Sequence, residues 1–342
     1  MKRNPTNQRK LDHIQISLNQ DVSSSMTTGL EKVHFVHQAL PEINLEEIDP
    51  SLVFLGKKLS FPLLISSMTG GTQKAARMNG NLATAAESMN IGFALGSQRA
   101  AIENPSLART YRIRDVAPHI PVLANLGAIQ LNYSFSLDEC KRAVEMVQAD
   151  GLILHLNPLQ EALQAEGNTN FRGVIRKIET VCRKLELPVI IKEVGFGISD
   201  RVARMLSESG VWAVDVAGGG GTSWSQVEKF RAKNGANEQV AEAFRDWGIP
   251  TLESITLLKN VAPKLKIIAS GGLRSGVDMA KCIALGADMC GIALPFLKAA
   301  DASPEAVESL ISIYLKQFRI ALFAAGVANL RELTQLKLIK RG

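Results

Sequence analysis

The chain has 342 residues, of which 46% are apolar, 21% charged and only 5% aromatic, with a formal net charge of +6. These proportions describe a globular protein with a sizeable core. The basic excess is dispersed among 33 acidic residues, and no Lys/Arg run alternates with aromatic residues. That excludes the stacking platform of a nucleic-acid binder and leaves a small anion as the economical partner.

In chain order, the first ten residues are basic but lead into Asp12, His13 and Gln15 rather than an apolar core, so they do not read as a secretory signal. Taken singly, Arg9 and Lys10 read as solvated tail charges. Residues 28–36 have a helix-like pattern, and residues 52–59 form an apparent hairpin suited to plugging the N-terminal mouth of a barrel. Residues 1–60 are therefore expected to be an extension, and residues 61–342 a single barrel domain. No run is long and apolar enough to cross a bilayer, so no membrane association is expected.

From about residue 60 one grammar repeats: a short β-rich apolar run, polar or glycine residues at its end, then a segment of helical periodicity. The runs are 63–67, 91–96, 122–125, 151–156, 189–193, 212–216, 266–269 and 289–293, with amphipathic segments such as 139–147 between them. Eight βα units in one chain predict an α/β fold, a (β/α)8 TIM barrel, with a long loop over 218–250 after strand six. The glycine-rich 217–221 follows the sixth strand and opens no helix, so it is not a dinucleotide fingerprint and reads as a flexible hinge.

In a TIM barrel the strand ends converge on one face, which is where chemistry is expected. The fourth run ends in His155, Asn157, Pro158, Gln160 and Glu161, polar groups able to hold an anion and a metal. Glu161 reads equally as a single-carboxylate Mg²⁺ ligand or as a helix N-terminal acid stabilised by the dipole. Lys192 follows an almost fully apolar strand. It reads either as a salt bridge, with Asp215 rather than with Glu193, whose side chain leaves the opposite face, or as a cation beside the N1/O2 edge of a flavin. The glycine loops 270–276 and 291–295 follow strands seven and eight, where barrels commonly bind phosphate; the alternative is that the glycines only shape tight turns. Met68, Thr69, Gly70, Gly71, Ser97 and Asn125 suit a flat heterocycle, which makes FMN the leading cofactor. Arg99, with Arg9, Lys10 and His13, could clamp a second phosphorylated group.

Cys140, Cys182, Cys282 and Cys290 form no CxxC pair and read as small buried hydrophobes in a reducing cytoplasm. No GxSxG, GxxxxGK[ST] or HExxH motif is present, which weakens serine-hydrolase, P-loop and zincin readings.

Taken together, the segments NQRKLDHI, SMTGG, GSQR, ANLG, HLNPLQE, KEVG, GGTSW with Glu228, and SGGLR resemble the type 2 isopentenyl-diphosphate isomerases over nearly the whole chain. The resemblance implies an FMN-dependent enzyme that interconverts isopentenyl and dimethylallyl diphosphates, moving a proton from C2 and adding one at C4. Reduced FMN would act as acid and base after reduction by NAD(P)H. It further implies that Ser67, Met68, Thr69, Gly70, Ser97, Asn125, Lys192, Thr222, Gly271, Gly272, Leu273, Ala293 and Leu294 hold FMN. Arg9, Lys10, Ser97, Gln98, Arg99, His155, Asn157 and Gln160 would face the substrate, and Glu161 would bind Mg²⁺. Gln160 would orient the alkene or relay a proton, with Glu228 as a second proton site. A cytoplasmic homo-oligomer, tetramer or octamer, is implied as well. A 2-hydroxy-acid dehydrogenase would need a His base with an Arg at late strand ends, and Ala269-Ser270-Gly271-Gly272 offers neither. A non-catalytic phosphate-binding barrel would hold no flavin.

Overall fold

The computed structural model describes residues 5–340. Eight parallel strands close a barrel: β1 Leu63–Ile65, β2 Gly92–Ala94, β3 Val122–Gly127, β4 Gly151–His155, β5 Val189–Lys192, β6 Ala213–Asp215, β7 Lys266–Ser270 and β8 Met289–Ile292. Each pairs with the next in sequence, and β8 returns to β1 through Cys290↔Leu63 and Ile292↔Ile65. All eight expected runs are strands, because short β-branched stretches bounded by polar or glycine residues suit a sheet buried on both faces.

Side-chain alternation builds the interior. Leu64, Ala94, Leu123, Ile153, Ile190, Ala213, Ile268 and Met289 form one inner cluster, while neighbours such as Leu152, Leu154, Val189 and Ile191 join the larger core shared with the helices. Two residues further along each chain, the same inward face carries Ser66, Gly96, Asn125, His155, Lys192, Asp215, Ser270 and Gly291. The period of two therefore turns one apolar layer into a polar layer above it. Below, the expected hairpin pairs Leu52–Phe54 with Lys57–Leu59, turning through Leu55 at φ 50° and Gly56 at φ 77°. Its Phe54 and Leu59 pack into the inner cluster and close the bottom of the barrel.

Three expectations are corrected. Residues 28–36 hold only a 3-10 turn, Leu30–Lys32, and a strand, Val33–His34, that pairs with Ile339–Lys340; so short a segment gains more from a partner strand than from an isolated helix. Arg9 and Lys10 are not solvated tail charges, since they sit half-buried on a helix, Pro5–Asn19, that packs against the helix Trp224–Arg231 and buries Ile14. The glycines of 217–221 are wedged rather than hinge-like. A Cβ on Gly218 would lie 2.4 Å from the Thr251 Cα, and one on Gly220 would lie 2.4 Å from the Thr28 nitrogen.

The excursion after β6 carries the helices Trp224–Arg231 and Gly235–Glu242. Residues 139–147 fall within the helix Leu137–Val147, started by a Ser136/Glu139 capping box. Cys140, Cys282 and Cys290 are buried and Cys182 is partly so, all as free thiols, and burial pushes the Cys140 thiol up to about 12. Among the described residues no helix is long and apolar enough to cross a membrane.

Candidate active site

The C-terminal ends of the strands surround a deep cavity, roofed by the helix Pro5–Asn19 and the helix Trp224–Arg231. Its floor is the inward polar layer. Asn125 Nδ2 donates to Ser67 Oγ at 2.9 Å, and Asn125 Oδ1 lies 2.9 Å from His155 Nδ1. Burial, followed by the charges of Lys192, Lys10 and Arg9, pushes the His155 imidazole down to about 4. At neutral pH it is uncharged.

Lys192 is 8% exposed. Its ammonium donates to the Glu193 carbonyl at 3.0 Å and lies 3.5 Å from Asp215 Oδ2. The salt bridge expected as one reading is therefore present, with Asp215, and it coexists with a place on the cavity wall. The Glu193 carboxylate turns away and accepts from the backbone N–H groups of Val194, Gly195 and Phe196. Asp215 in turn accepts from Ser270 Oγ.

The end of β4, which pairs directly with β5, supplies the adjoining wall. Pro158 at the first turn of the helix Pro158–Leu163 directs Gln160 and Glu161 inward. Asn157 Nδ2 donates to Gln160 Oε1 at 3.0 Å and to Glu161 Oε1 at 3.1 Å, and Gln160 Nε2 donates to Glu228 Oε1 at 3.1 Å. Glu228 also accepts from Gln164 Nε2 at 2.7 Å and faces His13 Nε2 at 3.2 Å and Arg231. Burial alone would push this carboxyl up, but hydrogen bonds and charges from His13, Arg231 and Gln160 outweigh it and hold Glu228 at about 2.

The roof helix brings Arg9 and Lys10 to the mouth, and the segment after β2 brings Arg99. Lys10 Nζ donates to the Ser97 carbonyl at 2.7 Å, Arg9 donates to Gln164 Oε1 at 3.2 Å, and Arg99 pairs with Glu103 at 2.7 Å. Burial, reinforced by Arg9 and Arg99, pushes the Lys10 ammonium down to about 7. His13 meets Trp224 edge-on at 5.0 Å, locking the helix to the lid above β6.

Of the expected site residues, all but two line this cavity. Gln98 is the first exception and is corrected: it is fully buried outside the cavity, spending its amide on the Ala143 carbonyl at 2.8 Å and the Asn125 N–H at 2.9 Å. Its side chain braces Asn125 from behind the cavity wall. Glu228 is the second. It stands behind the wall, ionised, and meets the cavity-lining residues Gln160, Gln164 and His13. Reading strand ends missed Gln164, Arg231 and Tyr111. The first two lie one helical turn from Gln160 and Glu228, a spacing that could have found them; nothing local marks Tyr111.

Residues 132–340 match the FMN-dependent dehydrogenase family. Solved mandelate oxidases share the fold: one mutant, bearing an FMN adduct, superposes with a TM-score of 0.69 at 18% identity, covering 99% of both chains. The class is thus that of FMN-dependent barrels. Full-length relatives narrow it. The chain is 51% identical to an isopentenyl-diphosphate delta-isomerase of a Nostoc species over 96% of this chain and 94% of that one, and 47% identical to one from Rickettsia felis over 99% of each. It belongs to the isopentenyl-diphosphate delta-isomerase family.

The cavity's donors and acceptors fit FMN. Ser66 Oγ, Gln130 Oε1 and Asn157 Oδ1 are buried on its wall with no hydrogen-bond partner among the described residues. The glycines at the β7 end need their conformation for the fold itself, since a Cβ on Gly271 would lie 2.1 Å from the Gly218 oxygen. Gly272, Leu273, Ala293 and Leu294 line the cavity at this end.

Proposed function

We propose that this protein interconverts isopentenyl and dimethylallyl diphosphates, using FMN, Mg²⁺ and NAD(P)H as reductant. The observation that carries the reading is one cavity with two unlike walls: a cluster of cations and one carboxylate at the mouth, and an oriented neutral amide with a buried lysine deeper in. The first suits a diphosphate and its metal; the second suits an uncharged alkene beside a flat ring.

Glu161 is 6% exposed and has no ion-pair partner within 4 Å among the described residues. A buried carboxylate of this kind fits a cation site, and one carboxylate with substrate oxygens and waters is a normal Mg²⁺ environment. Arg9, Lys10 and Arg99 would take the remaining phosphate charge. Ser67, Met68, Thr69, Gly70, Ser97, Asn125, Lys192, Thr222, Gly271, Gly272, Leu273, Ala293 and Leu294 would hold FMN.

No side chain on the cavity wall is matched to removing an allylic proton. His155, held down to about 4, and Lys10, held down to about 7, are far too weak for a carbon acid of this kind, Lys192 is paired with Asp215, and Glu161 faces the cations. Bound reduced FMN would supply that acid–base capacity. Gln160 would orient the alkene through its fixed amide, and the closed roof would exclude water. A cytoplasmic homo-oligomer accompanies this reading. The deciding experiment is proton–deuterium exchange into isopentenyl diphosphate. Exchange that requires both reduced FMN and Mg²⁺ supports the assignment, whereas a colourless protein or exchange indifferent to flavin overturns it.

A further inference from the structure

Tyr111 ends a 3-10 segment, Pro105–Tyr111, after β2, and its side chain is fully buried. Its hydroxyl donates to the Ser97 carbonyl at 2.7 Å and accepts from Lys10 Nζ at 2.6 Å. The Lys10 ammonium also lies 5.3 Å from the centre of the Tyr111 ring. The ring is seated against the β1 loop so closely that a Cβ on Gly70 would fall 2.1 Å from Tyr111 Cε1. One phenol therefore joins the β1 loop, the β2 loop and the roof helix.

Both acceptors that hold Lys10 are neutral. The carboxylate whose charge acts on Lys10, Glu103, is paired with Arg99 at 2.7 Å. A carboxylate in place of the phenol would fix Lys10 equally well but would cancel its charge and compete with an anionic ligand. A phenol fixes the Lys10 nitrogen without placing a negative charge beside it, and an anion arriving in the cavity favours the charged form of Lys10, which burial otherwise pushes down to about 7; burial raises the Tyr111 hydroxyl pKa, so it stays neutral.

We propose that Tyr111 is a positioning residue for anion binding, holding Lys10 at the cavity wall with its charge uncancelled. This rests on reading the cavity as a diphosphate site. Tyr111→Phe keeps the ring and its packing on Gly70 and removes only the hydroxyl. The expected result is about tenfold weaker binding of inorganic pyrophosphate by calorimetry, from loss of a buried hydrogen bond to a charged group. KM for isopentenyl diphosphate should rise by a similar factor, with kcat and FMN content close to wild type. In a Lys10→Met background the same substitution should change pyrophosphate binding no further. Unchanged pyrophosphate binding in Tyr111→Phe, or an undiminished effect without Lys10, overturns the proposal. Wild-type protein that binds pyrophosphate but lacks isomerase activity would overturn the functional reading alone, because the titration still decides the role of Tyr111.

Discussion

Gln160 Nε2 donates to Glu228 Oε1 across 3.1 Å while Gln160 Oε1 accepts from Asn157 Nδ2 at 3.0 Å, so the amide has one orientation on the cavity wall. The charge that sets this orientation stays behind the wall, out of the reacting space. Gln160→Asn withdraws the amide by one methylene and should lower kcat by about a hundredfold, the scale of a 1 Å misplacement. FMN content should be retained; equal losses of kcat and flavin would sink the positioning role.

Asp215 lies 3.5 Å from the Lys192 ammonium and is fully buried. Replacing it by Asn leaves that cation uncompensated beside the proposed flavin, which favours negative charge on the reduced ring. The reduction potential of bound FMN should rise by about 30 mV, a tenfold change for a two-electron couple. A fall, measured against a reference dye, would contradict the arrangement.

Glu161→Gln keeps the shape of the side chain and removes the negative charge. The Mg²⁺ concentration needed for half-maximal activity should rise by at least about tenfold, with FMN binding unaffected. Identical Mg²⁺ titrations for the two proteins would return Glu161 to an ordinary helix-terminal acid.

Two glycines separate conformation from space. Gly173 has φ 73° with nothing within 4 Å of a built Cβ, so Gly173→Ala should cost about 1 kcal/mol, the left-handed penalty alone. Gly271 has φ 103° and would place a Cβ 2.1 Å from the Gly218 oxygen, so Gly271→Ala should cost about 2 kcal/mol or more. Denaturant titration reads both; equal losses would mean the β6 and β7 loops yield easily.

Burial pushes the Glu193 carboxyl up to about 7, despite three backbone N–H donors, from an ordinary value of 4.5. A carboxyl raised on folding favours the protonated native state: its contribution is present below 4.5 and is lost as pH rises through about 7. Glu193→Gln should thus match wild type in stability near pH 4 and exceed it by about 3 kcal/mol near pH 8. Thermal unfolding at the two pH values checks this, and a variant weaker at the higher pH would show that the three donors dominate.

The strand ends were legible because a barrel writes its chemistry in short, regular units. Asn125, His155 and Lys192 each follow an inward apolar residue by two positions, so local alternation was enough to name them. The hairpin at 52–59 was readable for a similar reason: its turn and its two apolar residues are local. Family membership followed from motifs spread over those same ends.

Contacts between distant segments were not readable in this way. Gln98 sits in the same motif as Ser97 and Arg99, yet only the packing of β2 against β3 shows that its amide is consumed by Asn125 and Ala143. Arg9 and Lys10 resemble a solvated tail until the helix Pro5–Asn19 is laid across the mouth, where Tyr111 and Gln164 await them. Sequence by itself determined the barrel and the residues lining its mouth, since both depend on periodicity within a few residues. Tertiary structure decided which of those residues face the cavity, which brace it from behind, and which charges remain uncancelled, because burial and pairing depend on what distant parts of the chain bring to the same place.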